Sequence, residues 1–266
     1  MNKKSINNPV KKKLLNGEIA LGMSIRISKS PDVVRLAKTS GHDFIFIDTQ
    51  HSIFNLESIA NLAHTALSCG IAPMVRVKGI NDIDVALLLD NGVTGIVFPD
   101  IRTREDALRA VEICRFAPLG KRSVTGGYSQ FNFERLTTEE SMNRLESDTL
   151  VVCMIEDSIG LENIEAICNI SGIDVIHFGA HDFAASIGKP GQLQDIEVLE
   201  AQAKVIKTAR KNNKFVGCAG GRDIGKQVNM LKSGVQLITT NSDFGFLLNS
   251  AESWVKDIKS QLNDSQ

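Results

Sequence analysis

Two carboxylates end two apolar runs that are spaced as neighbouring strands would be. The run Leu150–Ile155 (LVVCMI) stops at Glu156 and Asp157, and a second run beginning at Ile173 leads to Asp182. Glu156 and Asp182 are 26 residues apart, close to one strand–helix–strand repeat of about 30 residues. Parallel strands joined in this way present their carboxyl ends at one edge, which is where α/β folds place their chemistry.

This pair of acids favours a site for a hard divalent cation. Mg²⁺ and Mn²⁺ prefer oxygen ligands, and two carboxylates without His or Cys at ligand spacing leave room for water and substrate oxygens. We therefore predict Glu156 and Asp182 as metal ligands. The alternative is that each acid caps the helix that follows it. Asp157 fits that role better than Glu156, because Ser158 and Gly160 follow it.

Three further polar residues stand where earlier apolar runs end. Asp48 ends the run DFIFID and is followed by His51, and Arg76 ends the next run. An imidazole oriented by a carboxylate can act as a general base near neutral pH. A guanidinium at the end of a buried strand must be paired or must face a site, and it suits a carboxylate or enolate oxygen. The alternatives are a surface histidine and a structural ion pair.

Apolar runs that alternate with helical patterns must position these residues. A short amphipathic helix is predicted over Pro9–Asn16, before the first strand. Eight strands are predicted at Ile19–Ile25, Asp43–Asp48, Ile71–Val77, Gly95–Phe98, Leu150–Ile155, Val175–Phe178, Phe215–Ala219 and Leu237–Thr240. No Gly-rich phosphate turn of a doubly wound sheet is present. The pattern therefore favours α/β architecture with a single (β/α)₈ TIM-type barrel, one domain over residues 1–266, with an N-terminal helix.

One connection is much longer than the others. The segment from Ala117 to Asp148 is rich in Gly and polar residues, and long loops inside compact domains are usually functional or disordered. We expect its part Lys121–Phe133 to lie over the same end of the barrel as Arg76 and Glu156 and to cover the metal site.

Composition excludes several classes of function. The net charge of −1 lacks the basic footprint of a nucleic-acid-binding protein, and the run Lys11–Lys13 is interpreted as a solvated helix face. No apolar run approaches the ~18 residues of a membrane span, and the N-terminus lacks the apolar core of a signal peptide. The five cysteines have no CxxC spacing. We therefore expect no nucleic-acid partner, no membrane, and buried free thiols in the cytoplasm.

Six ordered motifs resemble one known family, the HpcH/HpaI family of metal-dependent class II pyruvate aldolases. The resemblance runs from about Gly22 to Ala251. The motifs are D-T-Q-H at 48–51, V-R-V at 75–77, A-P-L-G-K-R-S at 117–123, I-E-D at 155–157, F-G-A-H-D-F-A-A-S-I-G at 178–188 and N-S-D-F-G-F-L-L at 241–248.

The resemblance implies a (β/α)₈ barrel that assembles into trimers or hexamers. It implies cleavage or formation of 4-hydroxy-2-oxo acids, from or to pyruvate and an aldehyde, through a metal-bound pyruvate enolate. Glu156 and Asp182 would hold Mg²⁺ or Mn²⁺, and Arg76 would contact the enolate oxygen. His51, oriented by Asp48, would be the acid/base residue. Backbone amides around Ala180 and His181 would bind the pyruvate carboxylate.

The sequence departs from the family pattern at several positions. Gln50 stands where the family usually has Glu, and Met154 where it has Gln; Ala180 and His181 replace small residues or Pro. These changes keep two other readings open. One is an acyl-CoA lyase similar to the β subunit of citrate lyase. The other is a catalytically silent barrel that binds a metabolite.

Overall fold

The architecture is a closed barrel of eight parallel strands surrounded by helices, as the sequence predicts. The computed structural model describes residues 7–219, 221 and 223–263. Each strand pairs with the next along the chain, and β1 pairs with β8 to close the barrel. The strands are β1 Ala20–Ile25, β2 Phe44–Asp48, β3 Ala72–Arg76, β4 Gly95–Phe98, β5 Leu150–Ile155, β6 Val175–Phe178, β7 Phe215–Ala219 and β8 Leu237–Ser242. We call the carboxyl ends of the strands the mouth and their amino ends the base.

Helices precede, connect and follow the strands. They are α1 Pro9–Leu15, α2 Asp32–Thr39, α3 Leu56–Cys69, α4 Val85–Asp90, α5 Arg104–Cys114, α6 Thr138–Asp148, α7 Ser158–Glu162, α8 Ile164–Cys168, α9 Ala180–Ser186, α10 Ile196–Lys211, α11 Ile224–Ser233 and α12 Asp243–Asn263. The N-terminal helix is confirmed. The loop expected after β6 is instead the helix α9, so Asp182 lies in a first helical turn.

Two apolar clusters explain why the strands read as continuous apolar runs, because both strand faces are buried. Alternate side chains of β2, β3, β5 and β6 fill the barrel interior with residues such as Phe46, Met74 and Val152. The other faces pack against the helices in a larger cluster. Gly22 of β1 leaves room for the ring of Phe44, since a Cβ at this position would lie 2.2 Å from that ring.

Helix α1 closes the base. Asn8 caps it by accepting hydrogen bonds from the backbone N–H groups of Val10 and Lys11. Val10 and Leu14 join the interior cluster. Lys11 donates to the carbonyl of Thr149 at 2.9 Å and pairs with a carboxylate at the base. The expectation that the run Lys11–Lys13 is a solvated face is therefore wrong for Lys11.

The long connection between α5 and α6 does not cover the mouth, so that prediction is wrong. The segment follows a helix rather than a strand, and α5 has already returned the chain to the base. Arg122 pairs with Asp90 at 2.6 Å. Ser129 Oγ and His64 Nε2 are 2.8 Å apart, and the side-chain amide of Gln130 donates to a carbonyl at the end of α4. The segment thus packs on α3 and α4.

Across the part of the chain that the structure describes, no helix combines the length and the apolar character needed to cross a membrane.

Candidate active site

The residues predicted from the sequence lie at the mouth. Asp48 and Arg76 are the last residues of β2 and β3, and Glu156 directly follows β5. Asp182 belongs to the first turn of α9, after β6, together with Ala180 and His181. His51 lies in the loop between β2 and α3. Because the strands are parallel, their polar ends converge on one edge of the barrel.

Asp48 and Arg76 form a two-pronged ion pair between neighbouring strands. Arg76 Nε donates to Asp48 Oδ1 at 3.1 Å, and Arg76 Nη2 donates to Asp48 Oδ2 at 2.9 Å. The pairing follows from register, because Asp48 and Arg76 are direct partners in the β2–β3 ladder. Burial opposes ionisation, but the hydrogen bonds and charge of Arg76 hold the pKa of Asp48 below its ordinary value.

The contact between Asp48 and His51 is made by the backbone. Asp48 Oδ1 accepts the N–H groups of Gln50 at 3.2 Å and His51 at 3.3 Å, which fixes the start of the loop. The His51 residue is exposed. The side-chain oxygen of Gln50 is buried, and among the described residues it has no hydrogen-bond partner. The carboxylate thus shapes the loop that carries the imidazole.

Glu156 is a buried carboxyl group without a cationic partner among the described residues. Its Oε2 accepts the N–H of Asp100 at 2.9 Å. Burial, with a contribution from the charge of Asp182, raises the pKa of Glu156 to about 7. Its carboxylate lies against the end of β6, where a Cβ on Gly179 would come within 2.4 Å of Glu156 Oε1. A glycine is therefore required beside this acid.

Asp157 has the capping role predicted for it. Its side chain accepts the N–H of Gly160 at 2.8 Å at the start of α7 and pairs with Arg102. Since Asp157 satisfies the helix end, Glu156 is left free to face the mouth.

The donor set fits a hard divalent cation that keeps much of its hydration shell. Among the described residues, no group of three or more His, Cys, Asp or Glu side chains forms a complete metal cage. Mg²⁺ is commonly bound by only one or two carboxylates, with waters and substrate oxygens as the other ligands. Glu156 and Asp182 supply two carboxylates whose mutual repulsion and desolvation a cation would relieve.

Helix α9 brings backbone donors next to these acids. The first N–H groups of a helix have no partner within the helix, and those of Ala180, His181 and Asp182 begin α9. His181 and Asp182 are exposed. An anion bound at these amides would lie beside Glu156, whose carboxylate contacts Gly179, the residue that precedes α9.

One functional candidate was missed by sequence reasoning. Arg26 follows β1 and places its Nε 3.4 Å from Asp48 Oδ2. Its guanidinium lies over the ring of Phe244 at 5.6 Å. Arg76 was identified as an arginine at the end of an apolar strand. The same pattern is present in IALGMSIR at 19–26 and identifies Arg26 as well.

A buried histidine lies in the barrel interior below the mouth. His177 of β6 is in register with Met154 and Gly217. Neither ring nitrogen has a partner among the described residues. Burial, with a smaller effect from the charge of Arg76, lowers the pKa of His177 to about 3. The imidazole is therefore neutral at physiological pH and packs inside the barrel.

Known proteins resemble the chain over most of its length. A model of the family HpcH/HpaI aldolase/citrate lyase matches residues 26–247. A 4-hydroxy-4-methyl-2-oxoglutarate aldolase from Chaetomium globosum is 37% identical over 223 residues, covering 81% of each chain. Another protein of that name, from Hapsidospora irregularis, is 33% identical and covers 80% of each. The crystal structure of an HpcH/HpaI aldolase from Desulfitobacterium hafniense matches with a TM-score of 0.89 and 26% identity, over 94% of this chain and 96% of that one.

Proposed function

Because the chain belongs to the HpcH/HpaI aldolase/citrate lyase family, we propose that it cleaves and forms 4-hydroxy-2-oxo acids at the mouth, with a divalent cation, Mg²⁺ or Mn²⁺, held by Glu156 and Asp182. The chain is a carbon–carbon lyase of the aldolase type. The products of cleavage are pyruvate and a carbonyl compound. The observation that carries the proposal is the convergence of a carboxylate pair and a largely buried arginine at one end of the barrel.

The cation, when bound, supplies a Lewis acid that stabilises negative charge on the 2-oxo oxygen of the substrate, an effect of several kcal/mol. Glu156 and Asp182 would hold it, because their oxygens are hard ligands and the two residues follow the adjacent strands β5 and β6. The N–H groups of Ala180 and His181 would bind the carboxylate of the 2-oxo acid next to that position.

Arg76 would stabilise the enolate that forms when the carbon–carbon bond breaks. Two of its donors are fixed by Asp48, so the guanidinium plane is oriented before the substrate arrives. Its other Nη group remains for an oxygen of the substrate. A donor that is already in place where charge develops lowers the barrier without reorganisation in the transition state.

His51 would move the proton. In cleavage, its imidazole accepts the proton of the C4 hydroxyl as the C3–C4 electron pair moves into the enolate. In condensation the same nitrogen returns the proton to the new alkoxide. Asp48 holds the backbone of this loop through two N–H groups, and it would thereby keep the imidazole close to the reacting hydroxyl.

We further propose that the chain forms a homo-oligomer, a trimer or hexamer. Helix α12 supports this proposal, because its large apolar side chains Leu247, Trp254 and Leu262 are each more than 60% exposed. A contiguous apolar face of this kind marks an association surface. Light scattering coupled to size-exclusion chromatography measures the mass; a monomer at micromolar concentration would contradict the proposal.

A coupled assay tests the proposed reaction. Pyruvate released from 4-hydroxy-2-oxopentanoate is measured with lactate dehydrogenase, before and after EDTA treatment and after readdition of Mn²⁺. We expect activity to be lost with EDTA and restored by the metal. Asp157→Asn is the matched control beside Glu156, since asparagine also caps helices; it keeps the metal response. Activity that is indifferent to EDTA would refute metal dependence, and cleavage of a CoA thioester alone would favour the acyl-CoA lyase.

A further inference from the structure

We propose that Arg26 binds a carboxylate on the carbonyl half of the substrate, so that the enzyme selects 4-hydroxy-2-oxo acids whose C4 carries a carboxylate. The inference rests on the proposed function and names the substrate class of the same site. It concerns a side chain at the end of β1 that the proposed reaction does not otherwise use.

The first observation is that Arg26 has donors to spare. Its contacts are all long: 3.4 Å from Nε to Asp48 Oδ2, 3.4 Å from Nε to Ser52 Oγ and 3.5 Å from Nη2 to the carbonyl of His51. Both oxygens of Asp48 are already held more closely by Arg76. Because an arginine has five N–H donors in a planar fork, the fork of Arg26 is not saturated by the residues that the structure describes.

The exposure of Arg26 and the contacts of the nearby charged groups also favour an anion-binding role for its side chain. The side chain of Arg26 is 36% exposed, against 13% for that of Arg76 and 2% for that of Asp48. Two guanidinium groups therefore share the carboxylate of Asp48, while the other carboxylate near Arg26, that of Asp243, accepts backbone N–H groups. A part-exposed guanidinium with unused donors can bind a substrate carboxylate in two-pronged geometry.

The backbone beneath this side chain is fixed, so the fork is positioned before a ligand binds. Asp243, the first residue of α12, accepts the N–H groups of Arg26 at 3.1 Å, Ile27 at 3.0 Å and Ser28 at 2.8 Å. The guanidinium also lies over Phe244, the next residue of α12. Positioning of this kind reduces the entropy lost on binding.

The order of strands around the barrel places Arg26 on the correct side. The 2-oxo end of the substrate is assigned to residues after β5 and β6, and the proton transfer at C4 to His51 after β2. Strand β1 is the next neighbour of β2, and the Arg26 guanidinium reaches the His51 carbonyl. A substituent on C4 therefore points from the acid/base loop toward Arg26.

A matched pair of substrates tests the assignment. Cleavage of 4-hydroxy-2-oxoglutarate yields pyruvate and glyoxylate, and cleavage of 4-hydroxy-2-oxopentanoate yields pyruvate and acetaldehyde. The two substrates differ at C4 in a carboxylate or a methyl group. In Arg26→Met, which keeps an apolar stem, we expect kcat/KM for the glutarate to fall about 10- to 100-fold, the range for a hydrogen bond to a charged group. For the pentanoate the change should be within about threefold, and Arg26→Lys should recover part of the loss.

A merely structural role would give a different result. If Arg26 only supports Asp48 and Arg76, both substrates lose activity equally, and exchange of the C3 protons of pyruvate with solvent slows as well. That outcome, or an unchanged kcat/KM for both substrates, overturns the proposal. Arg35→Met on the outer helix α2, where the side chain is 62% exposed, is the control and should change neither substrate. A wild-type enzyme with Mn²⁺ that cleaves neither substrate would refute the proposed function itself, and with it this inference.

Discussion

The mouth and the base of the barrel each hold a carboxylate between two cations, but among the described residues the arginine at the base is hydrogen-bonded more completely than the arginines at the mouth. At the base, Asp174 accepts Arg115 Nη2 at 2.6 Å, Lys11 Nζ at 3.1 Å and the N–H of Val151 at 2.8 Å. At the mouth, the corresponding carboxylate is Asp48, between Arg76 and the half-exposed Arg26. The same side-chain chemistry therefore has two different environments in one fold.

The difference lies in how completely each guanidinium is satisfied. Arg115, whose side chain is 5% exposed, donates to the carbonyls of Gly172, Thr149 and Glu146 as well as to two carboxylates. A fully satisfied buried network gives a rigid, specific structure. At the mouth, donors face the opening and the pKa of Glu156 is raised, which are the features of a site prepared for a ligand. Stability and activity should therefore separate between the two ends.

The largest effect is expected from Glu156→Gln at the mouth. Loss of one of the two proposed carboxylate ligands should lower kcat/KM by about a thousandfold or more. The bound cation stabilises the negative charge that develops on the reacting oxygen, and it depends on both ligands. The midpoint of thermal unfolding should stay the same or rise, because an ionised buried carboxylate is removed. The pyruvate-release assay and calorimetry measure the two quantities. Near wild-type activity would rule out Glu156 as a metal ligand.

Asp174→Asn at the base should show the reverse pattern. It leaves Lys11 without its charge partner and Arg115 with Glu146 as its one remaining carboxylate. Breaking a buried ion pair typically costs about 3–5 kcal/mol, which should lower the unfolding midpoint by roughly 10 °C. The kcat of the folded fraction should be retained. Asp32→Asn, which breaks the exposed pair with Arg35 on α2, is the control; a surface pair contributes less than about 1 kcal/mol. Equal shifts for both variants would mean that the base network is not stabilising.

Arg76→Lys sharpens the comparison within the mouth. Lysine keeps the charge but cannot bond Asp48 with two prongs while also donating to substrate. We expect kcat to fall about 30- to 100-fold with a smaller change in KM, because the interaction develops with the enolate. Steady-state kinetics on 4-hydroxy-2-oxopentanoate give both constants. An effect confined to KM would mean that Arg76 binds only the ground-state substrate.

The smallest predicted effect is on metal affinity as a function of pH. Burial raises the pKa of Glu156 to about 7 in the metal-free protein, and a proton must leave before the metal binds. The affinity for Mn²⁺, measured by calorimetry, should therefore be about tenfold lower at pH 6 than at pH 8.

A rise in pH should change the stability of the metal-free protein in the opposite direction to its Mn²⁺ affinity. Since the pKa of Glu156 in the folded protein lies above its ordinary value, its contribution to the free energy of unfolding of the metal-free protein is lost as pH rises through 7. Equal Mn²⁺ affinity at both pH values would contradict the assignment of Glu156.

Much of the fold could be predicted because a barrel repeats one local pattern. Strands buried on both faces read as apolar runs, and four of the eight, β4, β5, β6 and β7, were predicted with the bounds that the structure has. The chemistry follows from the same pattern, because polar residues at the carboxyl ends of parallel strands meet at one edge. The helix α9 was missed because its seven residues directly follow the strand and carry the acid that drew attention to a loop.

The error about the long connection was one of topology. A segment that follows α5 returns toward the base, so the order of elements already excludes it from the mouth of its own barrel. The contacts of Arg122 with Asp90 and of Ser129 with His64, in contrast, join residues 32 and 65 positions apart and have no local signal. A polar loop sequence indicates exposure but not the surface on which the loop packs.

The sequence by itself determined which residues end which strands. Apolar runs, the spacing of apolar residues and the order of elements along the chain can all be read directly from it. It therefore determined that Asp48, Arg76 and Glu156 meet at one end. Only the tertiary structure decided how charge is distributed there, since ion pairing and desolvation depend on distances between strands. Asp48 is shared by two arginines, while Glu156 is buried beside Gly179 and Asp182 with a raised pKa. Those distances separate the side of the mouth that we propose to bind a cation from the side that we propose to bind an anion.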